Sequence, residues 1–173
     1  MYKYLNESLM NRFLKIPSDM LKGNQRSIVA AAIAGILIST YALYVEMAAE
    51  VRPGYKALCD ISEHASCSRV LTSKYSKGFG LISDDSLLVV PNCVYGVIFY
   101  CLMIFLSTFD NLTLVRVQFF IALSSVATCF YLAYLLIFVL KDFCIVCVST
   151  YVFNAAIVYF LNKKIQILKV KAK

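Results

Sequence analysis

Four apolar runs dominate this chain and leave it little choice of solvent. The first reads SIVAAAIAGILISTYALYV, from Ser27 to about Val45, and meets no charge until Glu46. The others cover about 91–109, 117–140 and 143–161. Each is close to the ~20 residues that cross a bilayer as a helix. With 61% hydrophobic and only 16% charged residues among 173, and a mean hydropathy of +0.74, a soluble monomer would expose more apolar surface than such proteins tolerate. The expected fold is an all-α membrane protein, a four-transmembrane-helix bundle with a structured loop, residues 50–88, between the first two helices. Little length is left over for a soluble catalytic module.

The connectors fit this reading. Residues 1–26 carry Lys3, Arg12, Lys15, Lys22 and Arg26 against Glu7 and Asp19, and they are expected to be a cytosolic tail. That polar lead-in is long for a cleaved signal peptide, so the first run is taken as a span although Ala48 and Ala49 follow it. The loop balances five basic against five acidic residues and is punctuated by Pro53, Gly54, Gly78 and Gly80. Pro91 suits the first turn of the second helix, with Asn92 able to bond locally. Asp110 and Asn111 mark a turn before the third run. Lys141 and Asp142 interrupt the last two runs for only two residues, which predicts an antiparallel hairpin.

Lys163, Lys164, Lys169, Lys171 and Lys173 make residues 162–173 a basic tail without an acid. By the bias of basic residues toward the cytosol, both termini are expected to be cytosolic, which requires an even number of spans. The loop and the turn at Lys141 then share the opposite compartment, the oxidising lumen if the membrane is that of the endoplasmic reticulum. The ending KVKAK is similar to a dilysine retrieval signal. The net charge of +7 sits at the two ends, where an anionic leaflet accounts for it without nucleic acid.

The chemistry lies in the cysteines. Cys144 and Cys147 are one helical turn apart at the entrance of the last run, close enough to bridge, and a helix amino terminus favours the thiolate. Cys144 is expected to be the more acidic and exposed of the two, and Cys147 the deeper. Cys59 and Cys67 lie in the loop, and two dithiols on one side of a membrane can pass electrons by exchange. Blander roles stay open for these residues: packing for the helical pair, and a structural disulfide for the loop pair. A zinc site of all four cysteines is disfavoured, because seven residues separate Cys59 from Cys67 instead of the usual two to four, so no metal is expected. Cys101 and Cys129 are taken as small buried thiols, Cys93 lies near the site with no role assigned to it, and His64 is taken as a loop residue.

Three segments, ALCDISEHASCSRVLTSKYSKGFGL, PNCVYGVIFY and YLAYLLIFVLKDFCIVCVSTYVFN, resemble the vitamin K epoxide reductase family, its like-1 branch included, over about Tyr41 to Phe160. The resemblance implies an endoplasmic reticulum enzyme without a permanently bound cofactor. It would reduce vitamin K epoxide to the quinone and the quinone to the hydroquinone, in support of a separate γ-glutamyl carboxylase. By position, Cys147 would meet the substrate, Cys144 would resolve it, and Cys67 would reduce Cys144. Cys59 would then close on Cys67, and an external dithiol, a luminal thioredoxin-like oxidoreductase, would reopen that bond. The family's polar quinone contacts fall on Asn92 and Tyr151, and its pocket on Val70, Leu71, Tyr75, Tyr95 and Phe99, with Phe79 as a lid contact. Leu71 stands where an aromatic is frequent, Tyr75 replaces a tryptophan and Tyr95 a phenylalanine, so the pocket shape that governs the response to warfarin departs from the commonest pattern.

Tyr151 follows Cys147 by four residues and so shares its helix face, where a buried phenol needs a partner. Two other functions use the same residues. A quinone-linked oxidase would make disulfides in luminal proteins, and a tetraspanin-like organiser would use the cysteines only for structure.

Overall fold

The computed structural model describes residues 2–52, 54–62, 65–81 and 89–171, with side chains from Asp19 onward. His64, Pro53, Lys173 and the part of the loop at 82–88 lie outside the described residues. Among the described residues five α-helices carry the fold: α1 (Tyr2–Val51), α2 (Cys67–Leu71), α3 (Asn92–Ser107), α4 (Leu112–Tyr134) and α5 (Ile145–Lys171). Between 2 and 26, where a polar tail is expected, the backbone is already helical and continuous with α1.

The four-span expectation is corrected. Among the described residues three helices are long and apolar enough to cross a membrane, Asp19–Val51, Leu112–Leu140 and Ile145–Lys171, while Asn92–Ser107 is a shorter apolar helix. At 1.5 Å per residue its 16 residues rise roughly 24 Å, less than the ~30 Å hydrocarbon core. The apolar run is longer than the helix inside it. Pro91 is held outside as a cap, and Thr108 and Phe109 belong to the turn that closes on Phe105 and Leu106. Hydropathy counts those residues and backbone geometry does not. With three candidate spans, parity no longer places both ends on one side.

The remaining boundaries have local causes. Asn111 caps α4 by accepting from the Thr113 amide at 2.8 Å. Ser66 caps α2 by accepting from the Arg69 amide. Beyond Tyr134 the helix widens into a π turn, Leu135–Leu140, and stops at Lys141, whose φ of 53° is left-handed. Asp142 and Phe143 then turn the chain into α5, which packs beside α4 as the expected hairpin.

Two clusters fill the interior. One, around Ile28, Tyr100, Met103, Val115, Ile157 and Leu161, joins α1, α3, α4 and α5. The other, around Val45, Cys59, Cys67, Leu136, Cys144 and Val146, joins the opposite end of α1 to the loop and the start of α5. Leu37, Phe105, Phe120, Phe130, Phe138 and Val152 face outward, as suits lipid. Because lipid is as apolar as the core, close packing holds such helices together. At Gly35 a Cβ would lie 2.3 Å from the Tyr100 ring, so glycine is what lets α1 and α3 meet there. Away from the cysteines, fully buried Lys164 donates to the carbonyls of Ser107 and Phe109, each at 2.9 Å, and pairs with Asp110 at 3.1 Å.

Candidate active site

Cys144 sits just ahead of α5, where its sulfur accepts from the Cys147 amide at 3.3 Å, and its carbonyl accepts from the Val148 amide. The thiol of Cys147 donates to the Cys144 sulfur across 2.7 Å, and both cysteines are free. That donor first, and then the amides of Cys147 and Val146, hold the Cys144 thiol below its ordinary range against the opposing effect of burial. Cys144 is thus the acidic member of the pair, as expected, but it is not the exposed one. It is fully buried, while Cys147 is half-buried and opens on a cavity. The loop folds down onto the entrance of α5 and covers Cys144, whereas the next turn of the helix brings Cys147 to the cavity wall.

Cys59 and Cys67 are joined by a disulfide, with their Cα atoms 5.7 Å apart. Cys67 is fully buried in the same cluster as Cys144. Two anchors hold the loop in place. The Asp60 carboxylate accepts from the Ala57 and Ser68 amides and from the hydroxyls of Ser66 and Ser68, all within 3.0 Å. Burial pushes the Asp60 pKa up, but these four donors outweigh it and bring it to about 2. The second anchor is an ion pair of 2.6 Å between Arg69 on α2 and Asp142 in the turn before Cys144.

On the far side of Cys147 lies a cavity of about 280 Å³ with mostly apolar walls, near the lower end of the usual size for small-molecule sites. Tyr151, Asn92, Val70, Leu71, Tyr75, Tyr95 and Phe99 all line it. α5 supplies Cys147, Thr150, Tyr151 and Asn154, which recur at the spacing of one helix face. Among the described residues the Asn154 side-chain oxygen is buried without a hydrogen-bond partner.

Asn92 is engaged differently from a simple ligand donor. Its amide nitrogen donates to the Tyr75 carbonyl at 2.7 Å, and its oxygen accepts from the Phe79 amide at 2.8 Å. Phe79 has a left-handed φ of 58° between two glycines that are also left-handed, and its ring stacks on Tyr95 with centroids 5.4 Å apart. Tyr131 donates to the Phe79 carbonyl. Asn92 therefore fixes an aromatic cover in a backbone conformation that such a residue seldom adopts.

Sequence reasoning passed over Glu46, Ser76, Asn154 and the cavity-facing position of Cys129. Glu46 was only the end of an apolar run, yet it is 1% exposed and lines the cavity. The signal was present in Ser39, Ala42 and Glu46, which fall on one helix face. Among the described residues, no group of three or more His, Cys, Asp and Glu side chains is placed to hold a metal ion.

A disulfide in a loop, packed against a buried thiol pair that opens on an apolar cavity, defines a thiol-based redox protein of the membrane. Residues 26–161 match the model of the vitamin K epoxide reductase family, and the chain belongs to that family. It is 39% identical over 147 residues to vitamin K epoxide reductase complex subunit 1 of Rattus norvegicus, covering 83% of this chain and 91% of the relative. The Mus musculus protein of the same description is 38% identical with the same coverage.

Proposed function

We propose that the protein reduces vitamin K epoxide to the quinone and the quinone to the hydroquinone, with electrons entering at Cys59 and Cys67 and leaving through Cys144 and Cys147. One observation carries this reading: the Cys147 sulfur faces the cavity, while its partner Cys144 is buried with Cys67. Each pair thus has one member positioned for the next exchange. The disulfide in the loop, together with a free helical pair, is the state left when the loop has just passed its electrons inward.

The electrons balance in both reactions. Epoxide reduction oxidises two thiols to one disulfide and releases one water, and quinone reduction adds the two electrons and two protons of the thiols to the ring. Cys144 is the acidic thiol and so the more readily formed thiolate, which would attack the Cys147 sulfur to close the disulfide once Cys147 has met the substrate. Tyr151, on the cavity wall, would donate to one substrate oxygen, and Asn92 would offer its second amide hydrogen to the other. Val70, Leu71, Tyr75, Tyr95 and Phe99 would hold the apolar ring system, with Phe79 above it.

The relatives named above support the substrate. An external dithiol, supplied by a luminal thioredoxin-like protein, would reopen the loop disulfide, and the hydroquinone would serve a γ-glutamyl carboxylase. The setting is the endoplasmic reticulum membrane, with the cysteine end toward the lumen. α1 reaches that end at its carboxy terminus and α5 leaves it at its amino terminus, so both chain termini would be cytosolic.

The test is an epoxide assay on the purified protein with a dithiol, and on microsomes with and without warfarin. Conversion that is lost in Cys144→Ala and in Cys147→Ala is expected. Quinone reduction without epoxide conversion would favour a disulfide-forming oxidase, and cellular function unchanged in both variants would favour a non-enzymatic organiser.

A further inference from the structure

Glu46 is a carboxyl group on an apolar stretch of α1, 1% exposed, on the wall of the cavity that Cys147 also lines. Among the described residues no ion pair joins it. Its two partners are neutral donors: the Ser76 hydroxyl at 3.4 Å to one oxygen and the Cys93 thiol at 3.5 Å to the other. Cys93 packs against the cluster that holds Cys144, as does Cys147, and is close enough to Cys147 to be felt electrostatically. Lys77 is near enough to be felt but is paired with Glu50, and a buried acid with no cation in contact is costly to keep in an apolar wall. Simple packing does not call for one here, because a neutral side chain would fill the place.

Quinone reduction supplies a use. The thiols give up their electrons at sulfur, but the protons must arrive at ring oxygens, and a water-poor cavity offers few carriers. We propose that Glu46 is the proton donor to a substrate oxygen in this cavity, with Cys93 linking it to the active dithiol. The proposal rests on the reading of the cavity as the quinone site. In the step, Cys144 and Cys147 each lose an S–H bond, one S–S bond forms, and two electrons enter the ring. The O–H bond of Glu46 breaks as an O–H bond forms on the quinone. One proton released by the thiols returns to Glu46 through the Cys93 thiol, and the other goes to the second oxygen, so Glu46 ends as it began.

Glu46→Gln in the full chain keeps the shape and a hydrogen-bonding head while removing the acid. With vitamin K quinone and a dithiol, kcat should fall roughly 100-fold, as for loss of a general acid, with KM within about twofold. The solvent deuterium isotope effect on kcat should rise, Glu46→Asp should recover part of the rate, and oxidation of the dithiol by diamide should proceed as in the unaltered protein. As a measurement independent of any variant, a hydrophobic carbodiimide should modify Glu46 in the unaltered protein, with loss of quinone reduction, and bound quinone should protect it. Unchanged kcat in Glu46→Gln, a loss confined to KM, or carbodiimide labelling of Glu46 without inactivation would overturn the proposal. Failure of the unaltered protein to reduce vitamin K quinone would instead overturn the cavity's assignment as a quinone site.

Discussion

Arg69 and Asp142 stand 2.6 Å apart, and their ion pair ties the helix that begins at Cys67 to the turn that leads into Cys144. The two residues are 73 positions apart in sequence. The disulfide and the free pair can exchange only if these segments keep their register, and this contact spans them directly.

The Arg69 side chain is 53% exposed, so the pair adds little to stability, under about 1 kcal/mol. Its effect should be on transfer. Arg69→Gln and Asp142→Asn should each leave the melting temperature in detergent nearly unchanged while slowing dithiol-driven turnover several-fold. Turnover in both variants equal to that of the unaltered protein would show that the loop keeps its register without the pair.

Cys147→Ser removes the sulfur that closes on Cys144 and leaves Cys144 facing Cys67 in the shared cluster. The expected product is a Cys67–Cys144 crosslink, identified by mass mapping of loop and α5 peptides under non-reducing conditions. If Cys59 and Cys67 stay paired throughout in that variant, electrons do not pass between the two pairs.

The Asp60 carboxyl titrates at about 2 in the folded protein instead of its ordinary 3.8. A depressed folded value means that its contribution to the loop is complete above pH 3.8 and is lost as pH falls through about 2. Hydrogen exchange at the Ala57 and Ser68 amides, which donate to this carboxylate, should therefore stay slow to near pH 4 and accelerate below it. In Asp60→Asn exchange should be faster throughout, without that transition. A transition surviving in Asp60→Asn would assign it to another group.

Lys164 closes the other end of the bundle. Lys164→Met keeps the apolar stem but leaves the carbonyls at the end of α3 without a donor, which should cost about 1–3 kcal/mol. Asp110 is half-exposed, so Asp110→Asn should cost less, under about 1 kcal/mol. Denaturant unfolding in a fixed detergent measures both, and equal losses would mean that the ion pair outweighs the carbonyl contacts.

Much of the site was readable because helices repeat. Tyr151 shares a face with Cys147 by the four-residue spacing alone, and the same spacing carried to Thr150 and Asn154 would have extended that wall. Glu46 was hidden by its position at the edge of a hydrophobic run, where a charge ordinarily marks the membrane surface. Asn92 was placed at the right helix end, but its partners, the Tyr75 carbonyl and the Phe79 amide, belong to a loop whose path no local rule sets. The relative exposure of Cys144 and Cys147 was misjudged for the same kind of reason. Helix direction ranks the two by depth, whereas the loop that covers Cys144 comes from elsewhere in the chain.

By itself the sequence determined the solvent, the helical class and the two cysteine pairs, since hydropathy, periodicity and thiol spacing are local properties. The tertiary structure decided how much of each apolar run is helix, which thiol meets the cavity and which is shielded, and that a buried acid stands on the cavity wall. Those outcomes depend on contacts between segments far apart in the chain, and their free energies are settled only when the segments pack.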